Sequence, residues 1–238
     1  MDFFFVEPRD VQGRVAILRG DEYKHLARVL RKKEGEKITL VDGEDHAYDA
    51  VIESIGSSEA ICDILAVKNR FNETKIDVTL AVSLLRNPAR FDVLVEKATE
   101  LGVRTIIPMM CERTVPRSEK HNRLEKIALS AMKQCGRSYL PKVHPLTAFE
   151  SMVERAGDYA LRLIPHEKTE QSQFIGSVLQ HHPDVTSALI VIGPEGGFSE
   201  QEISLANEKG LVPISLGPRR LRAETAAISA LSWVVGGW

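Results

Sequence analysis

The stretch Ile192-GPEGGFSEQE-Ile203 joins a predicted strand to a predicted helix through a turn that contains three glycines and a proline. Its glycine spacing matches neither the G-x-G-x-x-G dinucleotide loop nor the lysine-containing G-x-x-x-x-G-K-S/T phosphate loop. The charged residue inside the turn is Glu195, whose carboxylate would repel a phosphate. The turn is therefore predicted to hold a ligand that is cationic or rich in hydrogen-bond donors.

Strands and helices alternate along the chain on both sides of this turn. Ser199 and Glu202 form a capping-box pattern, and Gly102 and Gly210 are placed to end two helices. This alternation predicts an α/β fold, with helices on both faces of a parallel sheet. The predicted strands cover residues 76–85, 103–109, 159–164, 188–192 and 212–216, and the predicted helices cover 91–101, 123–136, 148–155, 173–180, 199–209 and 225–235.

The first 70 residues have a different pattern, in which short strands are separated by polar turns. One helix is predicted at about 22–32, with Asp21 as its N-cap. A small β-barrel with one basic helix is the expected result. The polar segment 68–74 has the composition of a linker, so the predicted domains are residues 1–70 and 75–238. The predicted strands of the first domain cover residues 15–18, 37–41, 48–54 and 60–66.

The composition is that of an ordinary globular protein. Of the 238 residues, 43% are hydrophobic and 27% are charged, and the chain is long enough to bury a sizeable core. No stretch approaches the roughly 20 apolar residues that a membrane span requires. Cys62, Cys111 and Cys135 are scattered, which favours reduced thiols in a cytoplasmic protein and predicts neither a disulfide framework nor a metal site.

Basic residues are concentrated in three parts of a chain whose formal net charge is only −2. Residues 86–142 contain 12 Lys and Arg against 6 Asp and Glu, and shorter basic runs lie at 24–33 and 219–222. Any single run is typical of a solvated helix face. Three runs on a nearly neutral protein favour a polyanionic partner such as RNA.

Three strand ends in the α/β part have similar sequences. They are LIPHE at 163–167, IGPEGG at 192–197 and LGPRRLR at 216–222, and each is expected to place a proline just past the strand. Proline fixes φ, and glycine lets the backbone approach a ligand closely. Because ligands bind beyond the carboxyl ends of strands in open α/β sheets, the three loops are predicted to form one pocket, suited to a planar heterocycle such as adenine.

Four motifs of the chain resemble those of the RsmE family of ribosomal RNA small-subunit methyltransferases. They are Glu96-Lys-Ala-Thr-Glu-Leu-Gly-Val103, Gln134-x-Gly-Arg137, the glycine turn quoted above, and LGPRRLRAETAA at 216–227. The resemblance implies a PUA-like N-terminal β-barrel and a SPOUT domain with a C-terminal trefoil knot, which general topology rules would not suggest. It also implies a homodimer that acts in the cytoplasm on 16S rRNA or the small ribosomal subunit.

The resemblance further implies that S-adenosylmethionine is the cofactor and that no metal is needed. The sulfonium, ammonium and adenine amine of this cofactor suit an acidic turn lined by carbonyl groups. The residues that match the cofactor loops of the family are Leu163, Ile164, Pro165, Gly193, Pro194, Glu195, Gly196, Gly197, Leu216, Gly217, Leu221, Thr225 and Ala226.

The implied reaction is methylation of N3 of a uridine, for which the target base must leave its stack and lose the N3 proton. Arg222 is the candidate catalytic residue that stabilises the uracil anion. Glu224 is the nearest candidate base, and equally a helix cap. The candidate RNA-binding residues are basic side chains of the N-terminal helix and the α/β part: Lys24, Arg28, Arg31, Lys32, Arg86, Arg90, Arg137 and Arg219.

Two other functions agree with parts of the sequence. A Rossmann-type oxidoreductase shares the α/β pattern, but its glycine fingerprint follows the first strand, whereas the turn here comes late. A non-catalytic RNA-binding dimer would use the barrel alone and would bind RNA without a cofactor. The three ligand loops favour the methyltransferase over both.

Overall fold

The computed structural model describes residues 3–167 and 173–236, which form two compact units. The first unit combines the chain up to Glu73 with Leu129–Leu140, and the second combines Thr74–Ala128 with the chain from Pro141 onward. None of the helices in the described ranges has the length and apolar character that a membrane crossing requires.

The first unit is built on a six-stranded sheet with the order β1-β4-β5-β6-β3-β2. The strands are β1 (Phe3–Phe5), β2 (Val11–Gln12), β3 (Val15–Arg19), β4 (Lys37–Val41), β5 (His46–Ile55) and β6 (Glu59–Asn69). β1 pairs with β4 in parallel, and the other neighbours are antiparallel. The sheet curls into a half-barrel, which is the form that the predicted β-barrel takes in this protein.

Alternating burial along the strands builds the core of the first unit. Ala16 and Leu18 of β3 are buried between more exposed neighbours, and Ala60, Cys62 and Ile64 of β6 follow the same pattern. Burial raises the pKa of the Cys62 thiol to about 11, so this side chain behaves as a small neutral core residue.

The first unit differs from the prediction at its helix and at two short strands, β1 and β2, that were not predicted. β1 was missed because three residues are too few to show a period of two, although Phe4 is fully buried. The predicted helix begins earlier and changes its form: α1 covers Gly20–Lys24 and continues as a π-helical turn over His25–Val29. Asp21 lies inside α1, where its carboxylate accepts a hydrogen bond from Lys24 instead of capping the helix.

A buried ion pair lies between Glu73 and the segment Leu129–Leu140 within the first unit. The Nη2 atom of Arg137 donates to Oε2 of Glu73 at 2.6 Å, and Oε1 of Glu73 accepts from the backbone N–H groups of Ser138 and Tyr139, each at 3.0 Å. The first unit includes Leu129–Leu140, whereas the contiguous domains predicted from the sequence put this segment in the second domain. The ion pair joins residues about 65 positions apart, which no local pattern reveals.

The second unit is built on a seven-stranded parallel sheet with the order β10-β8-β7-β12-β11-β13, and β9 also pairs with β8. The strands are β7 (Asp77–Ser83), β8 (Thr105–Met110), β9 (Lys142–Val143), β10 (Thr147–Ala148), β11 (Leu161–Pro165), β12 (Ser187–Ile192) and β13 (Val212–Ile214). The central strands β7 and β12 are buried along almost their whole length, as is typical of strands covered on both faces. The predicted α/β fold is confirmed, and the trefoil knot stays a prediction.

Six further α-helices lie in the described ranges. They are α2 (Pro88–Glu100), α3 (His121–Cys135), α4 (Phe149–Glu154), α5 (Ile175–Gln180), α6 (Glu200–Glu208) and α7 (Ala223–Val235). One of them, α3, begins in the second unit and ends in the first. α4 and α6 share a buried cluster with the sheet, while α7 packs on β7 and β12 and against α2. The predicted capping box is confirmed, because Ser199 and Glu202 each bind the backbone N–H of the other.

Candidate active site

Three loops leave the second unit at the carboxyl ends of neighbouring strands. β11 lies between β12 and β13 and pairs in parallel with both, so the loops at 165–167, 193–199 and 216–223 meet at one edge of the sheet. They surround a cavity of about 620 Å³. Small-molecule sites typically have volumes of roughly 300–1,000 Å³. The structure therefore brings the three predicted loops together around a space of suitable size.

Most of the predicted cofactor-binding residues line this cavity. Leu163 and Ile164 do not, because both are fully buried in β11 as part of the core. Thr225 lies in the first turn of α7, outside the lining of the cavity. The predicted residues that do line it are Pro165, Gly193, Pro194, Glu195, Gly196, Gly197, Leu216, Gly217, Leu221 and Ala226.

The glycine turn is closed by a backbone hydrogen bond. Gly197 N donates to Pro194 O at 2.9 Å, and Gly197 has a φ of 70°, a left-handed conformation that glycine adopts without a Cβ clash. A Cβ atom on Gly193 would lie 3.0 Å from the ring of Phe198, so the ring packs directly against the glycine backbone. The turn therefore presents mainly backbone atoms to the cavity.

Glu195 is held by the loop that follows β7. Its Oε1 atom accepts a hydrogen bond from the backbone N–H of Arg86 at 3.0 Å, and the residue also lines the cavity. The side chain of Arg86, a predicted RNA contact, is exposed. Glu195 thus links two loops at the sheet edge and places a negative charge on the cavity wall, where a cationic ligand is favoured.

The loop after β13 gives the cavity an arginine-rich rim. Arg219, Arg220 and Arg222 all line the cavity and are all exposed. Arg220 Nε lies 3.8 Å from Glu167 Oε2, but both side chains are more than half exposed, so solvent screens this pair. Arg222 is the N-cap residue of α7, which places the predicted clamp at the point where the last helix begins.

Glu224, the predicted base, does not line the cavity. Its side chain is 15% exposed, and Oε1 lies 3.7 Å from Nε of Arg90 in α2. Its Oε2 atom is buried and has no hydrogen-bond partner among the described residues. Because α2 packs against α7, Glu224 lies beside Arg90 and outside the lining of the cavity, while the RNA contact predicted for Arg90 stays a prediction.

Four other predicted RNA contacts lie in or just after the helix of the first unit. Arg28 and Arg31 are exposed. Lys24 forms an ion pair with Asp21 at 2.8 Å, and Lys32 lies 3.4 Å from Glu36. These four basic side chains therefore remain on or near the surface, where a polyanion can reach them.

The prediction that Arg137 contacts phosphate is wrong. Its side chain is 2% exposed, and its guanidinium is enclosed with the fully buried carboxylate of Glu73. A buried arginine of this kind stays paired, because an unpaired buried charge is costly. Arg137 therefore serves the packing of the first unit.

One wall of the cavity was not predicted from the sequence. Arg113, in the loop after β8, lines the cavity, and its Nη1 atom donates to the carbonyl oxygen of Gly196 at 3.0 Å. In the sequence it stood out only as one member of a long basic region. β8 is parallel to β7, so the loop after it leaves the same edge of the sheet, but that placement follows from strand order rather than from local pattern.

Two known domain families match the chain. Residues 72–235 match the RNA methyltransferase domain, and residues 18–65 match the RNA methyltransferase PUA domain. Ribosomal RNA small subunit methyltransferase E of Bacillus subtilis is 30% identical over 224 residues, which are 90% of this chain and 87% of the relative. The protein of the same name from Synechocystis is 32% identical over 232 residues, which are 96% of this chain and 75% of the relative.

Two solved structures are similar over nearly the whole chain. A ribosomal RNA small subunit methyltransferase E from Neisseria gonorrhoeae, bound to S-adenosyl methionine, superposes with a TM-score of 0.87 at 30% identity and covers 100% of this chain and 98% of its own. A methyltransferase from Legionella pneumophila in complex with the cofactor SAM gives a TM-score of 0.81 at 30% identity, covering 97% and 95% of the two chains.

Proposed function

This chain belongs to the ribosomal RNA small subunit methyltransferase E family, and we propose that it transfers a methyl group from S-adenosylmethionine to N3 of a uridine in 16S rRNA. The observation that supports this most is the cavity at the carboxyl edge of β12, β11 and β13. Its wall combines a glycine turn, the carboxylate of Glu195 and an arginine-rich rim, which suit a cationic nucleoside beside a polyanion.

The residues of the cavity fit S-adenosylmethionine. Leu216 and Leu221, which line the cavity and are partly exposed, offer apolar surface for the adenine ring. The glycine turn offers backbone donors and acceptors, and Glu195 complements the positive charge of the sulfonium and the ammonium. When bound, the cofactor supplies a methyl group that the sulfonium has already activated. The protein then has to bind the cofactor, orient the target base and stabilise the charge that develops on it.

Arg222 is the residue that we assign to the developing charge on the base. When the N3 proton leaves, negative charge spreads to the carbonyl oxygens of uracil, and a guanidinium placed beside them stabilises it. Arg222 lies on the rim of the cavity with an exposed side chain. Glu224 is engaged with Arg90, so in this arrangement it supports the start of α7 and does not act as the base.

We assign RNA binding to the rim and to the first unit. Arg219 and Arg220 lie beside Arg222, where they can bind phosphates that flank the target base. In the first unit, Arg28 and Arg31 are exposed and can contribute affinity that does not depend on sequence. We further propose that the protein is a homodimer that works in the cytoplasm. The mass in solution, measured by light scattering, tests the dimer.

The decisive experiment combines the protein, labelled S-adenosylmethionine and small ribosomal subunits from a strain that lacks the enzyme. We expect label at N3 of one uridine of 16S rRNA. Label at another atom or base contradicts the assignment of N3, and absence of both label and cofactor binding contradicts the methyltransferase. RNA binding without cofactor binding would support a non-catalytic RNA-binding protein instead, and NADH binding would support an oxidoreductase.

A further inference from the structure

We infer that Arg113 is a positioning residue that holds the peptide between Gly196 and Gly197 in the orientation needed for cofactor binding. The inference rests on the proposed function, because it takes S-adenosylmethionine as the ligand of the glycine turn. Arg113 lies outside the four motifs on which the family resemblance rests.

The peptide between Gly196 and Gly197 is held at both of its polar atoms. The N–H of Gly197 donates to Pro194 O at 2.9 Å, and the carbonyl oxygen of Gly196 accepts from Arg113 Nη1 at 3.0 Å. Glycine adopts positive and negative φ with similar ease, so the plane of a peptide between two glycines flips more readily than that of other peptides. The charge-assisted bond from Arg113 therefore favours one orientation of this peptide.

The absence of a side chain on Gly196 allows this contact. A Cβ atom on Gly196 would lie 3.3 Å from Cβ and 3.5 Å from Cδ of Arg113. The aliphatic part of the arginine therefore lies against the glycine backbone, and its guanidinium reaches the carbonyl oxygen. The contact involves two parts of Arg113, so it fixes the side chain as well as the turn.

The backbone on either side of Arg113 is anchored by buried polar groups. The N–H of Glu112 donates to Oε1 of Glu202 at 2.8 Å, and the hydroxyl of Thr114 bonds with that of Ser83 at 2.7 Å. Glu202, Thr114 and Ser83 are each no more than 5% exposed. Satisfied networks of this kind are rigid, so the loop keeps Arg113 beside the glycine turn even though its side chain is exposed.

Loss of this contact has a specific kinetic consequence. If a site adopts its binding-competent conformation only part of the time, its apparent Kd rises as the competent fraction falls. Without the bond from Arg113, the turn spends less time in the competent orientation, so the cofactor binds less tightly. The chemical step of the saturated enzyme is unaffected, because Arg113 acts through the turn.

The test is calorimetric titration of S-adenosylmethionine into the wild-type protein, Arg113→Ala and the matched control Arg117→Ala. Arg117 is also exposed and also follows β8, but it is not among the residues that line the cavity. We expect Arg113→Ala to raise the Kd about tenfold and Arg117→Ala to leave it unchanged. Arg113→Lys keeps a charged donor and is expected to recover part of the affinity.

Kinetic measurements complete the test. We expect Arg113→Ala to raise the KM for the cofactor and to keep the wild-type kcat at saturation. An unchanged Kd overturns the inference, as does a loss of kcat at saturating cofactor or a rise only in the KM for RNA. If Arg113→Ala unfolds early, recovery of affinity in Arg113→Lys supports the inference and no recovery overturns it. Failure of the wild-type protein to bind the cofactor contradicts the proposed function instead.

Discussion

One arginine of the first unit and three arginines of the second unit lie in opposite environments. In the first unit, Arg137 is 2% exposed and forms an ion pair with the fully buried carboxylate of Glu73. In the second unit, Arg219, Arg220 and Arg222 are exposed around a cavity. A buried arginine is committed to its partner because an unpaired charge in the interior is costly. An exposed one contributes little to stability but keeps its charge available to a ligand.

Burial therefore separates Arg137, which is committed to an ion pair, from the exposed rim arginines to which we assign a role in catalysis and RNA binding. Arg137 and Arg222 both lie in motifs of the family, and both were predicted as functional residues from the sequence. If the comparison is right, replacing Arg137 affects stability and replacing Arg222 affects methyl transfer.

The largest effect is expected for Arg137→Ala. The variant leaves the carboxylate of Glu73 buried and without its guanidinium partner. Breaking a buried pair in this way typically costs about 3–5 kcal/mol of stability. Urea unfolding followed by circular dichroism measures the change, with Arg220→Ala as a control that should stay within about 0.5 kcal/mol of the wild-type value. If Arg137→Ala unfolds at the same urea concentration as the wild-type protein, Arg137 contributes no more to stability than the exposed Arg220.

The second effect is expected in catalysis, for Arg222→Ala. Removal of one group that stabilises an oxyanion typically lowers kcat by about 10²–10³-fold. The exposed position of the side chain predicts that urea unfolding and the Kd for the cofactor stay at wild-type values. Single-turnover methylation of small ribosomal subunits measures the loss. Wild-type turnover in this variant would show that the rim arginine is not the clamp.

A smaller effect is expected when Gly196 is replaced by valine. Its Cβ would lie 3.3 Å from Cβ of Arg113, so a branched side chain displaces the arginine or the turn. We expect the Kd for the cofactor to rise about tenfold, because the loop no longer holds a competent conformation. Gly157→Val is the matched control, since a Cβ on Gly157 has nothing within 4 Å. Equal affinities of the two variants in calorimetry would argue against contact between the turn and the cofactor.

The smallest effect is expected for the basic residues of the first unit. Neutralising Arg28, Arg31 and Lys32 should weaken RNA binding and lower its salt dependence, since each lost phosphate contact reduces the slope by roughly 0.7–0.9. The unit should fold normally, in contrast to Arg137→Ala. Filter-binding titrations over a range of salt concentrations measure the slope. If the slope does not change, these side chains form only a solvated face.

Local patterns predicted most of the elements near their observed positions. β12 was expected at 188–192 and covers Ser187–Ile192, and α6 was expected at 199–209 and covers Glu200–Glu208. These predictions succeeded because apolar runs, capping boxes and terminal glycines act over a few residues. β1 was missed because it is short and gains its stability from pairing with β4, more than 30 residues later.

The sequence by itself determined the α/β alternation, the three loops that surround the cavity and the family, since all of these follow from local periodicity and contiguous motifs. Only the tertiary structure decided which charged groups face each other. Glu195 binds the backbone of Arg86, 109 residues earlier; Arg113 completes the cavity; and Glu224 and Arg137 are drawn into ion pairs. The physical reason is that burial and charge pairing depend on contacts between distant residues, which only the folded chain brings together.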